Sequence, residues 1–271
     1  MSKRERPSLF PLAFVAFVVA IFVPKMLWPH AAPYRAVLTA PVLSIIASSC
    51  KLASLGAGCA YGLGVVQRTE RDNPARSAWL LLALWLGCFA AGQLVLSAYQ
   101  LATGHTPLPS AADVFFFAGY ALMIASAARF VVVYRASGYP VGTTREAIAI
   151  VGGAVVVFAF VGVVILRPIA TAPVPWIERA VNVGYPALDF VSLVPTLLLL
   201  RITSRFRGGR FWSVWASLLV GFGFAAPGDI LFAYATSIGS VTLEPLLDPL
   251  FAISYYFLAR GAFLQYRLIT R

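Results

Sequence analysis

The sequence predicts an all-α protein, a polytopic transmembrane helical bundle of about eight spans. Three observations carry that prediction. Of the 271 residues, 60% are hydrophobic and only 11% charged, where a soluble domain carries about 25% charged residues. Apolar runs of bilayer length recur along the whole chain and raise the mean hydropathy to +0.84, whereas an outer-membrane barrel would show short alternating segments. The formal charge of +11 is gathered into particular connections. That pattern suits membrane orientation and anionic headgroups rather than nucleic acid, and no nucleic-acid-binding motif is present.

A bilayer core needs about 20 apolar residues per helix. On that ruler the spans fall at about 8–29, 37–66, 76–102, 111–135, 146–167, 177–201, 211–236 and 243–267. The run after Lys3, Arg4 and Arg6 resembles a secretory signal. It ends in Pro24-Lys25-Met26-Leu27-Trp28-Pro29 with no small-residue cleavage site, so it is expected to be retained as a first span. The chain is expected to form one transmembrane domain over 1–271, with an N-terminal hairpin over 1–75 and a bundle over 76–267.

Connections at Arg68–Arg76, Arg129–Arg145 and Arg201–Arg210 are basic, as are both ends of the chain; those around His105 and Ser240 carry no Lys or Arg. The positive-inside rule makes the basic set cytoplasmic, so both termini lie inside, which an even number of spans satisfies. Lys25 and Arg35 fall on the opposite side in this scheme. The expected location is a bacterial inner membrane.

Within this apolar chain a few polar groups stand out. Asp113 opens span four in Pro109-Ser110-Ala111-Ala112-Asp113, and Asp248 opens span eight in Pro245-Leu246-Leu247-Asp248. Each precedes a tyrosine, Tyr120 or Tyr255, by seven residues, which is two helical turns and one shared face. Asp189 lies near the middle of span six after Tyr185-Pro186, and Asp229 lies in span seven after Pro227-Gly228. A carboxylate at membrane depth is costly unless partnered and marks a candidate functional site. Threading places Asp113, Asp189, Asp229, Asp248 and Gln93 in the outer half or midplane, where they are expected to meet in one outward-facing site walled by Tyr185, Tyr234 and Tyr255. Asp113 and Asp248 equally suit helix N-termini, where a carboxylate meets the positive end of the dipole. Lys51, central in span two, is expected either to pair with Asp189 or Asp229 or to snorkel to water. The prolines beside Asp189 and Asp229 kink their helices and free carbonyls that can line a polar site.

An internal repeat follows from two landmarks. Gln93 to Tyr99 resembles Asp229 to Tyr234, and Asp113 answers Asp248, at separations of 136 and 135 residues. Four spans separate the copies, so they would be parallel, four plus four.

Enzyme signatures are absent: no His-Glu-x-x-His, Gly-x-Ser-x-Gly or phosphate-binding loop occurs. Cys50, Cys59 and Cys88 lack metal-type spacing and read as small packing residues, and His30 and His105 read as loop histidines. No cofactor or metal is expected.

The order Trp79-Leu-Leu-Leu, Leu108-Pro-Ser-Ala-Ala-Asp113-Val-Phe-Phe, Gly184-Tyr-Pro-Ala-Leu-Asp189, Asp229 to Tyr234 and Leu247-Asp248 to Tyr255 resembles a bacterial membrane sensor module. That module is the multi-spanning region ahead of many diguanylate cyclase and phosphodiesterase domains and some histidine kinases. The resemblance covers residues 76 to 267 and implies a helical bundle that passes a signal to a cytoplasmic output. This chain departs from it at Gln93, where the pattern usually has an acid, and at Arg271, where a linker and catalytic domain would follow. The expected function is therefore a non-enzymatic, sensor-like ligand-binding protein read by a separate cytoplasmic partner. A small-solute or ion transporter and an accessory subunit of a membrane complex are the rival expectations.

Overall fold

Apolar runs without charged interruption satisfy their backbone hydrogen bonds internally, and in lipid the helix is the local way to do so. The structure, a computed structural model, describes residues 9–28, 30–104, 107–139, 143–171, 173–238 and 244–270. The described residues form helices and their connections, with no strand among them. In chain order the helices are α1 (Phe10–Leu27), α2 (Ala32–Ala36), α3 (Ala40–Arg68), α4 (Ala75–Thr103), α5 (Ala111–Ala136), α6 (Thr144–Val161), α7 (Arg167–Ala170), α8 (Trp176–Thr203), α9 (Arg210–Ile238) and α10 (Glu244–Ile269). A π-helical segment, Gly162–Leu166, joins α6 to α7.

Among the described residues, six helical segments are long and apolar enough to cross a membrane: Ala40–Arg68, Ala75–Thr103, Ala111–Ala136, Thr144–Val164, Trp176–Phe206 and Arg210–Ala235. The protein is thus a multi-pass helical membrane protein. The remaining two expected spans differ from those six. The apolar stretch of α1, Phe10–Lys25, is shorter. Helix α10 carries Asp248, Arg260 and Arg267 within its 26 residues. The expected second span, 37–66, begins instead at Ala40, behind the short helix α2.

Six helices close a ring in the order α3, α4, α5, α8, α9, α10 and back to α3. Helix α1 lies outside against α10, and α6 lies outside against α8. The core is the inside of the ring, filled by Leu55, Trp85, Leu86, Phe89, Tyr120, Leu199, Trp215 and Leu258. The outside of α6 is apolar and exposed at Val155, Val156 and Phe160, and the π-helical segment continues it at Val163, as a lipid-facing surface should be.

Basic connections gather at one end of the ring. There Arg201 pairs with Glu146 at 2.5 Å, Arg76 Nε donates to the Val66 carbonyl at 3.2 Å, and Arg68 lies over the Tyr266 ring at 4.7 Å. The loops at His105 and Ser240, and the first eight residues with Lys3, Arg4 and Arg6, lie outside the described residues. His30 is exposed.

Candidate functional site

Asp113 sits where the sequence places it, in the first turn of α5. Ser110 precedes the helix in an extended conformation, and its Oγ accepts from Ala112 N at 3.2 Å. Asp113 Oδ2 in return accepts from Ser110 N at 2.6 Å, closing a capping box. The other oxygen is committed across the ring: Tyr185 of α8 donates its hydroxyl to Asp113 Oδ1 at 2.5 Å. Asp113 is thus both a cap and a tether between α5 and α8.

On the other side of the ring, Asp248 accepts from Lys51 Nζ at 2.8 Å. This corrects the expectation that Lys51 pairs with Asp189 or Asp229. The reason is register: α3 and α10 are ring neighbours, whereas α8, which carries Asp189, does not adjoin α3. Asp248 is therefore an ion-pair partner that joins α10 to α3.

Two acids remain, and one hydroxyl joins them. Tyr120 of α5 lies two turns beyond Asp113, about 10 Å deeper at 1.5 Å per residue. Its hydroxyl is 2.8 Å from Asp189 Oδ1 of α8 and in hydrogen-bond contact with Asp229 Oδ2 of α9. Three helices, consecutive in the ring, are thus pinned at one point. The rings of Tyr120 and Tyr185 lie 6.0 Å apart, so this cluster and the Asp113–Tyr185 tether adjoin.

Beyond the cluster the ring encloses a cavity of about 40 Å³, lined by Trp85, Tyr120, Asp189, Ser192, Thr196, Phe222 and Tyr255 among others. It has room for about three waters at about 10–15 Å³ each. Its hydroxyls are engaged along α8: Ser192 Oγ donates to the Asp189 carbonyl and Thr196 Oγ to the Ser192 carbonyl, each at 2.8 Å. Further along the ring axis Trp85 and Phe222 stack at 5.5 Å. A second void of about 10 Å³ follows, lined mainly by apolar residues such as Leu82, Phe130, Leu199 and Trp215. The cavity therefore ends on an aromatic plug.

Not all the expected site residues meet. Tyr185 and Tyr255 are buried, and Tyr255 lines the cavity. Tyr234 is exposed on the outside of α9, at 38%, and does not wall the cavity. Gln93 is buried on α4 and donates from Nε2 to Ser97 Oγ at 3.3 Å. Tyr120, the hub, and Trp85 were not among the expected site residues. The seven-residue spacing from Asp113 carried the signal for Tyr120; nothing local marked Trp85.

Cys50, Cys59 and Cys88 are free thiols, partly buried. Among the described residues no group of three or more His, Cys, Asp or Glu side chains is placed to hold a metal ion. No family model matches the chain, and it has no match among curated proteins or solved structures.

Proposed function

We propose that this chain is a sensor-like membrane protein of a bacterial inner membrane, and that the Asp189–Tyr120–Asp229 cluster is its ligand-binding site. One observation carries the reading: two carboxyl groups from neighbouring helices meet on one hydroxyl beside a cavity inside the ring. A ligand that binds there alters the forces among α5, α8 and α9 at once. A shift in their packing is then read at the basic end by a cytoplasmic partner. The aromatic plug of Trp85 on Phe222 favours binding over passage.

The same reading takes eight spans with both termini cytoplasmic, arranged as a parallel four-plus-four repeat. Several pairs of contacts support the repeat. Gly92 meets the Phe116 ring between α4 and α5 as Gly228 meets the Phe251 ring between α9 and α10, at separations of 136 and 135 residues. Asp113 takes its partner Tyr185 from α8, and its counterpart Asp248 takes Lys51 from α3, one residue from the position equivalent to Tyr185. In the first half the neutral Gln93 stands at the position that Asp229 takes in the second.

The test replaces the site's charge and reads the far end. With the native cysteines changed to serine, spin labels on cysteines introduced at Ser137 and Arg210 report the separation of α5 and α9 in lipid nanodiscs. Asp189→Asn with Asp229→Asn is expected to shift that distance distribution. An unchanged distribution in a folded double variant refutes the coupling.

A further inference from the structure

We propose that the ligand of this site is a proton, held between Asp189 and Asp229 on the Tyr120 hydroxyl and hydrated from the adjoining cavity; this rests on the cluster being the binding site. The first support is a count of hydrogens. Two oxygen-to-oxygen contacts meet on one hydroxyl: Tyr120 to Asp189 and Tyr120 to Asp229. Each needs a proton between its oxygens, and a tyrosine hydroxyl supplies one. With both acids ionised, one contact opposes lone pair to lone pair, and two like charges sit together away from water. One added proton converts an acid into a donor and removes a charge.

A second, independent observation points into the same place. Asp189 is 6% exposed, and its Oδ2 has no hydrogen-bond partner among the described residues. The indole Nε1 of Trp85, at 1% exposure, also has none. An orphan acceptor and an orphan donor thus belong to two residues lining one cavity of water size. A water that accepts from Trp85 and donates to Asp189 satisfies both, and it carries protons to and from the pair. A divalent cation fits poorly, since it asks for about six to eight oxygens and has no use for an indole donor.

The surroundings leave the charge uncompensated. Helix α5 presents Tyr120 and, through Tyr185, Asp113; α8 presents Tyr185; α10 presents Tyr255. Helix α4 contributes Trp85 and Phe89, which do not ionise, and the cation of α3, Lys51, is bound to Asp248. Loss of the proton therefore adds a second negative charge between α5, α8 and α9, and the repulsion between the two carboxylates pushes the helices apart.

Infrared difference spectroscopy on the full chain in nanodiscs, between mildly acidic and mildly alkaline buffer, tests this. Wild type is expected to show a deuterium-sensitive carboxylic-acid band that disappears on the alkaline side. Asp229→Asn should abolish it, and Tyr120→Phe should move it in frequency and in midpoint. Should Asp229→Asn fail to fold, Tyr120→Phe carries the test alone. A wild type with no such band, or a band that neither variant alters, overturns the proton assignment. If the band is absent while the double Asn variant still shifts the label distances, the site stands and only its ligand is wrong. If the band is present and the distances do not move, the proton is a structural one and the sensor reading falls.

Discussion

Lys51 and Asp248 are unequally buried, with side-chain exposures of 11% and 33%. Removing the carboxylate strands a buried ammonium; removing the ammonium strands a carboxylate that water still reaches. Asp248→Ala should therefore cost about 3 kcal/mol, as for a broken buried pair, and Lys51→Ala about 1 kcal/mol, nearer an exposed one. Lys51→Met with Asp248→Leu should recover most of the loss. Thermal unfolding of the three variants in detergent checks the order, and equal losses for the two alanine variants contradict it. The four acids were legible in the sequence because a carboxylate in an apolar run is too costly to be incidental. Their partners were not. From the sequence Lys51 was open only to Asp189 or Asp229, and it is the adjacency of α3 and α10 that selects Asp248 instead. Tyr120 was visible as a neighbour of Asp113 along one helix, yet its partners come from two others, and no local spacing encodes that.

At the scale of helices, α9 and α10 interlock through two glycines. A Cβ on Gly221 would stand 2.6 Å from Leu258 Cγ, and one on Gly261 would stand 2.6 Å from Leu218 Cγ. The Ser254 hydroxyl adds a hydrogen bond to the Gly221 carbonyl at 2.9 Å. Small residues let the helix backbones approach closely, where packing rather than the hydrophobic effect drives association in lipid. Gly221→Ala and Gly261→Ala should each cost about 1–3 kcal/mol by overpacking. Gly223, two residues from Gly221, has nothing within 4 Å of its Cβ position. Gly223→Ala should be neutral or stabilising by up to about 1 kcal/mol, since alanine is the better helix former. Unfolding midpoints that fall equally for all three would show that the effect is not steric. Helix ends were largely legible: a ruler of about 20 apolar residues with charged or proline-bearing breaks located the long helices to within a few positions, except that the span expected over 146–167 overran the end of α6 at Val161. The switch from α6 into the π-helical segment left no mark, because Gly162–Leu166 is as apolar as the end of α6 before it.

At the scale of the whole molecule, the closed ring is what the sequence hides, because ring closure is a set of contacts between residues far apart in the chain. Only the 135- and 136-residue separations hinted at it. If the two halves are repeats, a two-fold rotation carries α3, α4 and α5 onto α8, α9 and α10, and the ring order is the one such a rotation preserves. Each half then folds as its own packed layer of helices, with α4 on α5 and α9 on α10, and the halves join along two seams, α5 with α8 and α10 with α3. The seams carry the polar tethers: Tyr185 to Asp113 and Tyr120 to Asp189 on one, Lys51 to Asp248 on the other. Two polypeptides, 1–139 and 143–271, co-expressed in one membrane, should therefore assemble and co-purify as a one-to-one complex. Asp248→Ala in the second fragment should weaken that complex more than it weakens the intact chain, because the covalent link no longer holds the seam closed. Halves that insert but remain separate would mean that the seams depend on the link, and that the molecule is one indivisible ring rather than two units meeting around a shared acidic site.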